Sequence, residues 1–323
     1  MGFISPESEM RIPDLTSIVC HAAAQIPRGM VSTYGDIARA LGDVRASRVV
    51  GMIMAANERP IIIPCHRVVY SNGRVGWYGG MGKGNDRKTE LLDSEGIMID
   101  HGVVHDFERR RFHDFQIEPV LSEMMEEQRQ LSERVMDQNL LEVERVVGLD
   151  VAYRENMGFS AAASFDLESG DLIEERVVSK EVKFPYIPGY LSYRELPLLA
   201  DLIDDSENTL YLVDGQGSLH PRRFGIACHL GVFMDVPTIG VAKSLLCGKV
   251  DDSGGDSAPV YLNGELAGVM LKKNGGKGVY ASVGHRTSLP ICESVCRRFM
   301  KYRVPEPLRK AHALANQARV DWE

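Results

Sequence analysis

Ile61-Ile62-Ile63-Pro64-Cys65-His66-Arg67-Val68-Val69 sets an apolar run against a Pro-Cys-His-Arg tetrad and closes on two β-branched residues. Pro64 fixes its own φ and biases Ile63 towards an extended conformation. That reading presents Cys65 on a stiff, buried segment rather than a loose loop. A neighbouring imidazole and guanidinium stabilise a thiolate, the nucleophilic form of cysteine. The same residues also suit a small buried cysteine in a β-strand. Spacing alone leaves both readings open.

A chain of 323 residues suggests two domains, and 44% apolar with 25% charged residues is the composition of a globular protein. No apolar run reaches the roughly 18 residues that cross a bilayer. The first eleven residues lack a basic region followed by an apolar one, so the expectation is a cytoplasmic protein with no membrane association. Six cysteines form no C-x-x-C pair, which favours reduced thiols over disulfides or structural zinc. Residues 1–115 carry 14 Lys/Arg against 14 Asp/Glu, so the whole net charge of −8 falls on residues 116–323. Such a balance argues for a modest intrinsic affinity for DNA, held by a local basic face.

Pro13-Asp14 opens an apolar-periodic helix to about Ile26, ended by Arg28-Gly29. Thr33-Tyr34-Gly35-Asp36 reads as a cap with an acid three residues on, starting a short helix that Gly42 closes. A second helix, about Arg45 to Asn57, follows after a tight turn. The pair is a helix-turn-helix pattern whose second helix is placed to enter a groove.

Four stretches now line up: Gly29–Gly42 (GMVSTYGDIARALG), Arg48–Asn57 (RVVGMIMAAN), Ile61–Val69 and Leu91–Gly96 (LLDSEG). In order and spacing they resemble the active domain of the O6-alkylguanine-DNA alkyltransferases, over about residues 13–110. The resemblance implies that Cys65 takes an alkyl group irreversibly from the O6 atom of a flipped-out guanine, an atom out of reach inside a duplex. It implies that His66 draws off the thiol proton through a water and that Glu95 orients His66. It implies too that Asn57 holds the active-site turn, that Tyr34 pushes the target phosphate and donates to the leaving base, and that Arg48 fills the gap in the stack. Val75-Gly76-Trp77-Tyr78-Gly79 matches the lid over the extruded base. Two departures stand out: the family's usual N-terminal domain is not represented, and Gly82-Lys83-Gly84-Asn85 lengthens the segment after the lid.

Arg109-Arg110-Arg111 ends this unit, and a short flexible joint is expected around Asp114–Pro119. Glu118–Leu141 reads as a charged but periodic helix. From Arg145 the period changes to two, with strands expected at 146–153, 159–166 and 171–178. A helix at 193–202, a strand at 210–213 and a helix at 223–232 complete a mixed α/β layer. Asp150 sits inside an apolar strand, where a carboxylate is costly without a cation. Asp214 ends another strand in Leu-Val-Asp-Gly-Gln-Gly, whose glycines are expected to let backbone approach a ligand. With Glu195, these acids suit metal-assisted phosphodiester hydrolysis.

Gly148–Tyr153 (GLDVAY), Pro185–Glu195 (PYIPGYLSYRE), Val213–Phe224 (VDGQGSLHPRRF), Pro237–Ser244 (PTIGVAKS) and Gly284-His285-Arg286 resemble endonuclease V, from about residue 118 onwards. The resemblance implies an RNase H-like fold, magnesium or manganese, and cleavage of the second phosphodiester 3′ to deoxyinosine, leaving 3′-hydroxyl and 5′-phosphate ends. Asp150, Glu195 and Asp214 match the metal-binding acids. Lys243 and His285 match residues beside the scissile phosphate, and His220 another active-site histidine. Pro185-Tyr186-Ile187-Pro188 matches the wedge that opens the duplex, two prolines making it rigid. Gly189 and Gly215 match the pocket that reads hypoxanthine, while Arg222 and Arg223 are expected on phosphates. Gln216 stands where the family commonly has another polar residue. The Gly/Ser/Asp-rich stretch Val250–Pro259 reads as a surface insertion.

The expectation is a two-domain α/β protein: a helix-turn-helix (winged-helix-like) alkyltransferase unit at 1–115 and an RNase H-like endonuclease V unit at 116–323. Its partners would be DNA carrying O6-alkylguanine or deoxyinosine, with no obligatory protein partner. A damage-binding module with an inert cysteine, and a nuclease acting on inosine-containing RNA, are the rival readings.

Overall fold

Two side-chain caps set the start of the chain. Asp14 accepts from the Ser17 amide at 3.0 Å and Thr33 from the Asp36 amide at 2.9 Å, which begins α1 (Leu15–Ala24) and α2 (Tyr34–Ala40). The computed structural model describes residues 12–78, 86–138, 142–204, 206–252 and 254–322. Gly42, at φ +102°, reverses the chain where a Cβ would stand 2.3 Å from Ser122 Oγ. A 3₁₀ turn at Val44–Ala46, capped by Asp43, leads into α3 (Ser47–Ala55). α2 and α3 are thus the expected helix-turn-helix.

Short strands β1 (Ser32–Thr33) and β2 (Val68–Val69) pair in parallel, and α4 (Asp86–Ser94) follows. The hairpin β3 (Ile99–Asp100)–β4 (Val103–Val104) and α5 (Phe107–Arg110) come next. Val31, Val69, Val75, Leu92, Ile97 and Val104 form the core beneath them. The Ile61–Ile63 run is not a buried strand: Ile61 and Ile62 are 64% and 75% exposed, and Ile61 sits at φ +80°. Only Ile63 turns inward, and Cys65–Arg67 form a 3₁₀ turn.

The expected joint at 114–119 is fastened rather than loose. Gln25 donates to the Gln116 carbonyl at 3.0 Å and accepts from its amide at 2.7 Å. α6 (Val120–Ser132) then starts against this unit, its Leu121 amide donating to the Leu41 carbonyl at 2.8 Å. The helix ends before the expected Leu141. One compact unit comprises Pro13–Glu126 with Phe184–Pro188; the other comprises Glu127–Lys183 and the chain from Gly189 on. The division falls within α6.

The second unit is built on long strands β5 (Arg145–Arg154), β6 (Met157–Asp166) and β7 (Leu172–Glu181), an antiparallel meander longer than the expected one. Further strands are β8 (Thr209–Asp214), β9 (Thr238–Ala242), β10 (Lys249–Val250), β11 (Ser257–Leu262), β12 (Glu265–Leu271) and β13 (Val279–His285). Among the described residues they make one nine-stranded sheet, ordered β10-β11-β12-β13-β9-β8-β5-β6-β7. β5, β8 and β9 run parallel, as strands buried on both faces commonly do. The helices are α7 (Leu191–Leu199), α8 (Ile226–Met234), α9 (Leu289–Phe299) and α10 (Glu306–Asp321). Ala152 and Ala161 pack against Ala315 of α10, while Ser160, whose side chain alternates to the other face, donates to the Leu198 carbonyl at the end of α7 at 3.0 Å. So α10 and α7 cover opposite faces of β5 and β6. Among the described residues no helix is long and apolar enough to cross a membrane.

Candidate functional site

The 3₁₀ turn at Cys65–Arg67 buries the thiol, 7% exposed, and the imidazole of His66, 2% exposed. Asn57 donates from its amide to the Ile63 carbonyl at 2.9 Å and accepts from the Arg59 amide at 3.0 Å, so it holds the turn before the cysteine. His66 Nε2 meets Glu95 Oε1 at 2.9 Å. Arg67 grips the same carboxylate through Nε at 2.9 Å and Nη2 at 2.7 Å, and donates from Nη1 to the Ile26 carbonyl at 2.6 Å. Burial alone would raise the Glu95 carboxyl, but the hydrogen bonds and charge of Arg67 and His66 hold it below the usual range. Burial pushes the His66 imidazole down, against the pull of Glu95. A neutral imidazole that donates from Nε2 leaves a lone pair on Nδ1, and that buried Nδ1 has no hydrogen-bond partner in the protein. The arrangement is a base already oriented by its carboxylate and ready to accept a proton.

Lys88, absent from the expected set, closes the centre. Its fully buried ammonium donates to the Val68 carbonyl at 2.6 Å and lies 5.9 Å from the Tyr34 ring centroid. Burial pushes it down to about 8, with the charge of Cys65 acting in the opposite sense. Tyr34 is raised to about 12 by burial, then by Tyr70 and Cys65, so its hydroxyl stays a donor. Tyr78, half-buried, is raised by burial and by the charge of the same thiol. Arg48 is exposed on α3. Gly79 and Gly82–Asn85 lie outside the described residues.

In the second unit the register Leu149↔Val213 makes Asp150 and Asp214 neighbours on adjacent parallel strands. Ligand atoms of Asp150, Asp214 and His312 of α10 lie within 4.8 Å of one another, with His312 Nδ1 2.6 Å from Asp150 Oδ2. Lys243, just past β9, donates to Asp214 Oδ2. Glu195, expected among the ligands, is not in that group: it comes from α7, buried, with its Oε1 accepting from the Tyr153 hydroxyl at 2.7 Å. Burial and the charge of Asp214 push Asp150 up; burial, then Asp150 and Asp214, push Glu195 up to about 8. The cluster is short of positive charge. Hard carboxylate oxygens with one imidazole suit a divalent cation.

Several expected residues are placed elsewhere. His285↔Thr238 pairs at the start of β9, whereas Asp214↔Val241 pairs near its end, so His285 lies towards the opposite end of the strands from the carboxylates. Its Nδ1 accepts from the Met136 amide at 3.2 Å. His312 occupies the place expected for it. His220 is buried and accepts on Nδ1 from the Arg222 amide at 3.3 Å. Arg222 is not left free for phosphate: it donates from Nε to Gln128 at 2.7 Å and from Nη2 to the Gly189 carbonyl, and Arg223 pairs with Glu265. Gly189, at φ +86°, provides the carbonyl that Arg222 holds. The glycines after Asp214 allow close protein packing on their Cα side. A Cβ at Gly215 would meet Ile226 Cγ2 at 2.5 Å, and one at Gly217 the Val283 carbonyl oxygen at 2.2 Å. Along Pro185-Tyr186-Ile187-Pro188, Tyr186 is 61% exposed but Ile187 is fully buried, which leaves the tyrosine and not the isoleucine to face a duplex.

Two family models match the chain: Endonuclease V over residues 126–313, and the 6-O-methylguanine DNA methyltransferase DNA-binding domain over residues 14–97. A bifunctional methyltransferase/endonuclease of Picrophilus torridus is 37% identical over 303 residues, covering 94% of this chain and 96% of its own. The endonuclease V of Streptomyces avermitilis superposes with a TM-score of 0.57 at 37% identity, over 62% of this chain and 93% of its own. Endonuclease V of Ciona intestinalis, solved with a 24mer DNA containing an inosine followed by a ribo-adenosine, gives 0.58 at 25% identity, over 63% and 98%.

Proposed function

This chain belongs to the bifunctional methyltransferase/endonuclease family, and from that premise we propose which residues carry each activity and on what substrate. The unit at 13–126 transfers the alkyl group of O6-alkylguanine in DNA to Cys65. The observation that supports it is the His66–Glu95 hydrogen bond with Nδ1 left without a partner, in the residue next to Cys65. Through a water, His66 Nδ1 takes the thiol proton, and Cys65 Sγ attacks the alkyl carbon. The carbon–O6 bond breaks with its electron pair going to guanine, and Tyr34 returns a proton to the leaving base. A thioether at Cys65 ends the reaction, so each chain reacts once. Lys88 adds a buried positive charge beside the forming thiolate. Arg48 fills the stack and Tyr78 flanks the base.

The second unit nicks DNA at the second phosphodiester 3′ to deoxyinosine. The supporting observation is the convergence of Asp150, Asp214 and His312. These residues with Glu195 would hold Mg2+ or Mn2+, which when bound supplies Lewis acidity towards the scissile phosphate. Lys243 sets an ammonium where phosphate charge develops. Tyr186, exposed on a proline-stiffened turn, stacks into the gap left by the extruded base.

Mass spectrometry after incubation with O6-methylguanine DNA tests the first assignment. One methyl on the Cys65 peptide is expected, and an unmodified peptide would leave only a damage-binding module. For the second, nicking of deoxyinosine duplexes in Mg2+ should vanish in Asp214→Ala. Matched strands with a ribonucleotide 3′ to inosine decide the preferred sugar, a comparison prompted by the DNA in the Ciona complex.

A further inference from the structure

Glu195 stands apart from the Asp150–Asp214–His312 group, although the charges of both aspartates act on it. Asp150 and Asp214 are strand residues side by side, whereas Glu195 projects from α7 on the face of β5 opposite α10. Strand alternation turns Tyr153, three residues after Asp150, to that same α7 face. There its hydroxyl donates to Glu195 Oε1 at 2.7 Å, and the Arg194 guanidinium lies 4.2 Å from the centroid of its ring. One oxygen of a buried carboxylate therefore accepts a hydrogen bond whose direction is fixed by a rigid ring on an interior strand of the sheet.

We propose that Tyr153 is a positioning residue of the nuclease centre: by holding Oε1, it presents only Oε2 of Glu195 to the ion shared with Asp150 and Asp214. The proposal rests on the metal-site reading above. A hydroxyl that orders a ligand without touching the ion sets affinity, and loss of such a partner typically costs about 10–100-fold. Tyr153→Phe removes one oxygen and keeps the ring under Arg194.

The test needs no turnover: Mn2+ is titrated calorimetrically into the full chain without DNA. Tyr153→Phe should bind about tenfold more weakly than the parent, within that range. In a Glu195→Ala background the same substitution should change nothing further, because the oxygen it directs is gone. Wild-type affinity in Tyr153→Phe, or an equal loss in both backgrounds, overturns the proposal. Tighter binding in Tyr153→Phe also overturns it, since the hydroxyl would then be competing with the ion. Asp214→Ala separates the two levels. If it loses Mn2+ while Tyr153→Phe does not, only the positioning role falls; if it keeps wild-type affinity, the metal site itself falls.

Discussion

In the proposed mechanism a neutral imidazole lets Cys65 part with its proton, and burial favours that form by pushing His66 below the ordinary 6.5. The active species is the unprotonated base. Single-turnover methyl transfer should therefore hold its rate down to about pH 6.5 and fall below it as Nδ1 takes a proton. A rate that rises on acidification would remove His66 from the role of base. Asp36 makes a stability case with a definite sign. Its buried carboxylate accepts from Thr33 Oγ1 at 2.7 Å, Arg39 at 2.7 Å and Arg111 at 2.7 and 2.8 Å. Burial works against its ionisation, but Arg111, Thr33 and Arg39 win and hold it below the ordinary 3.8. A folded-state value below the unfolded one adds stability above that range, and the gain disappears as pH falls through the folded value. Asp36→Asn should cost about 2 kcal/mol at pH 7 by denaturant unfolding, with the gap to wild type closing in acid. At this scale the sequence was legible where motif residues are contiguous, as in Pro-Cys-His-Arg, and opaque where chemistry comes from helix faces. Lys88 in Asp-Arg-Lys-Thr-Glu reads as one more solvated charge. His312 lies in an amphipathic helix with no motif around it, so a histidine in a more conspicuous triplet, His285, drew the assignment instead.

Elements were easier to foresee than their surroundings. Period-two alternation located β5 to β7, and the Thr33 and Asp14 caps located the first helices, because both signals are local. What alternation cannot tell is which helix covers which face. Gly148 was expected only as part of a motif, yet a Cβ there would stand 2.2 Å from the Pro307 carbonyl carbon and 2.5 Å from the Leu308 amide nitrogen. The first turn of α10 lies directly on that glycine. Gly148→Ala should lift α10 and shift His312 away from Asp150, destabilising the unit by about 1–3 kcal/mol. Mn2+ affinity and inosine nicking should drop together while alkyl transfer is kept; wild-type nicking in this variant would show that α10 is not needed where it sits. The Ile61–Ile63 run failed as a strand for a related reason. A short apolar run carries no record of whether neighbours cover it, and here two of the three side chains remain in solvent.

On the scale of the whole chain, Cys65 and the Asp150–Asp214–His312 group lie in separate compact units. Cys65→Ala should abolish methyl transfer and leave deoxyinosine nicking intact, and Asp214→Ala should do the reverse. Paired assays on one preparation of each variant check this, and loss of both activities in either variant would show that the centres depend on each other.

Lodged under its own turn, Cys65 is a lone acceptor whose thioether cannot be undone, whereas the carboxylates across the chain emerge from every cut unchanged. The two halves of one molecule therefore age differently. By the independence predicted above, each guanine restored would permanently retire a protein as an alkyl acceptor and leave its nuclease working, so the mass at residue 65 would be a tally of past exposure.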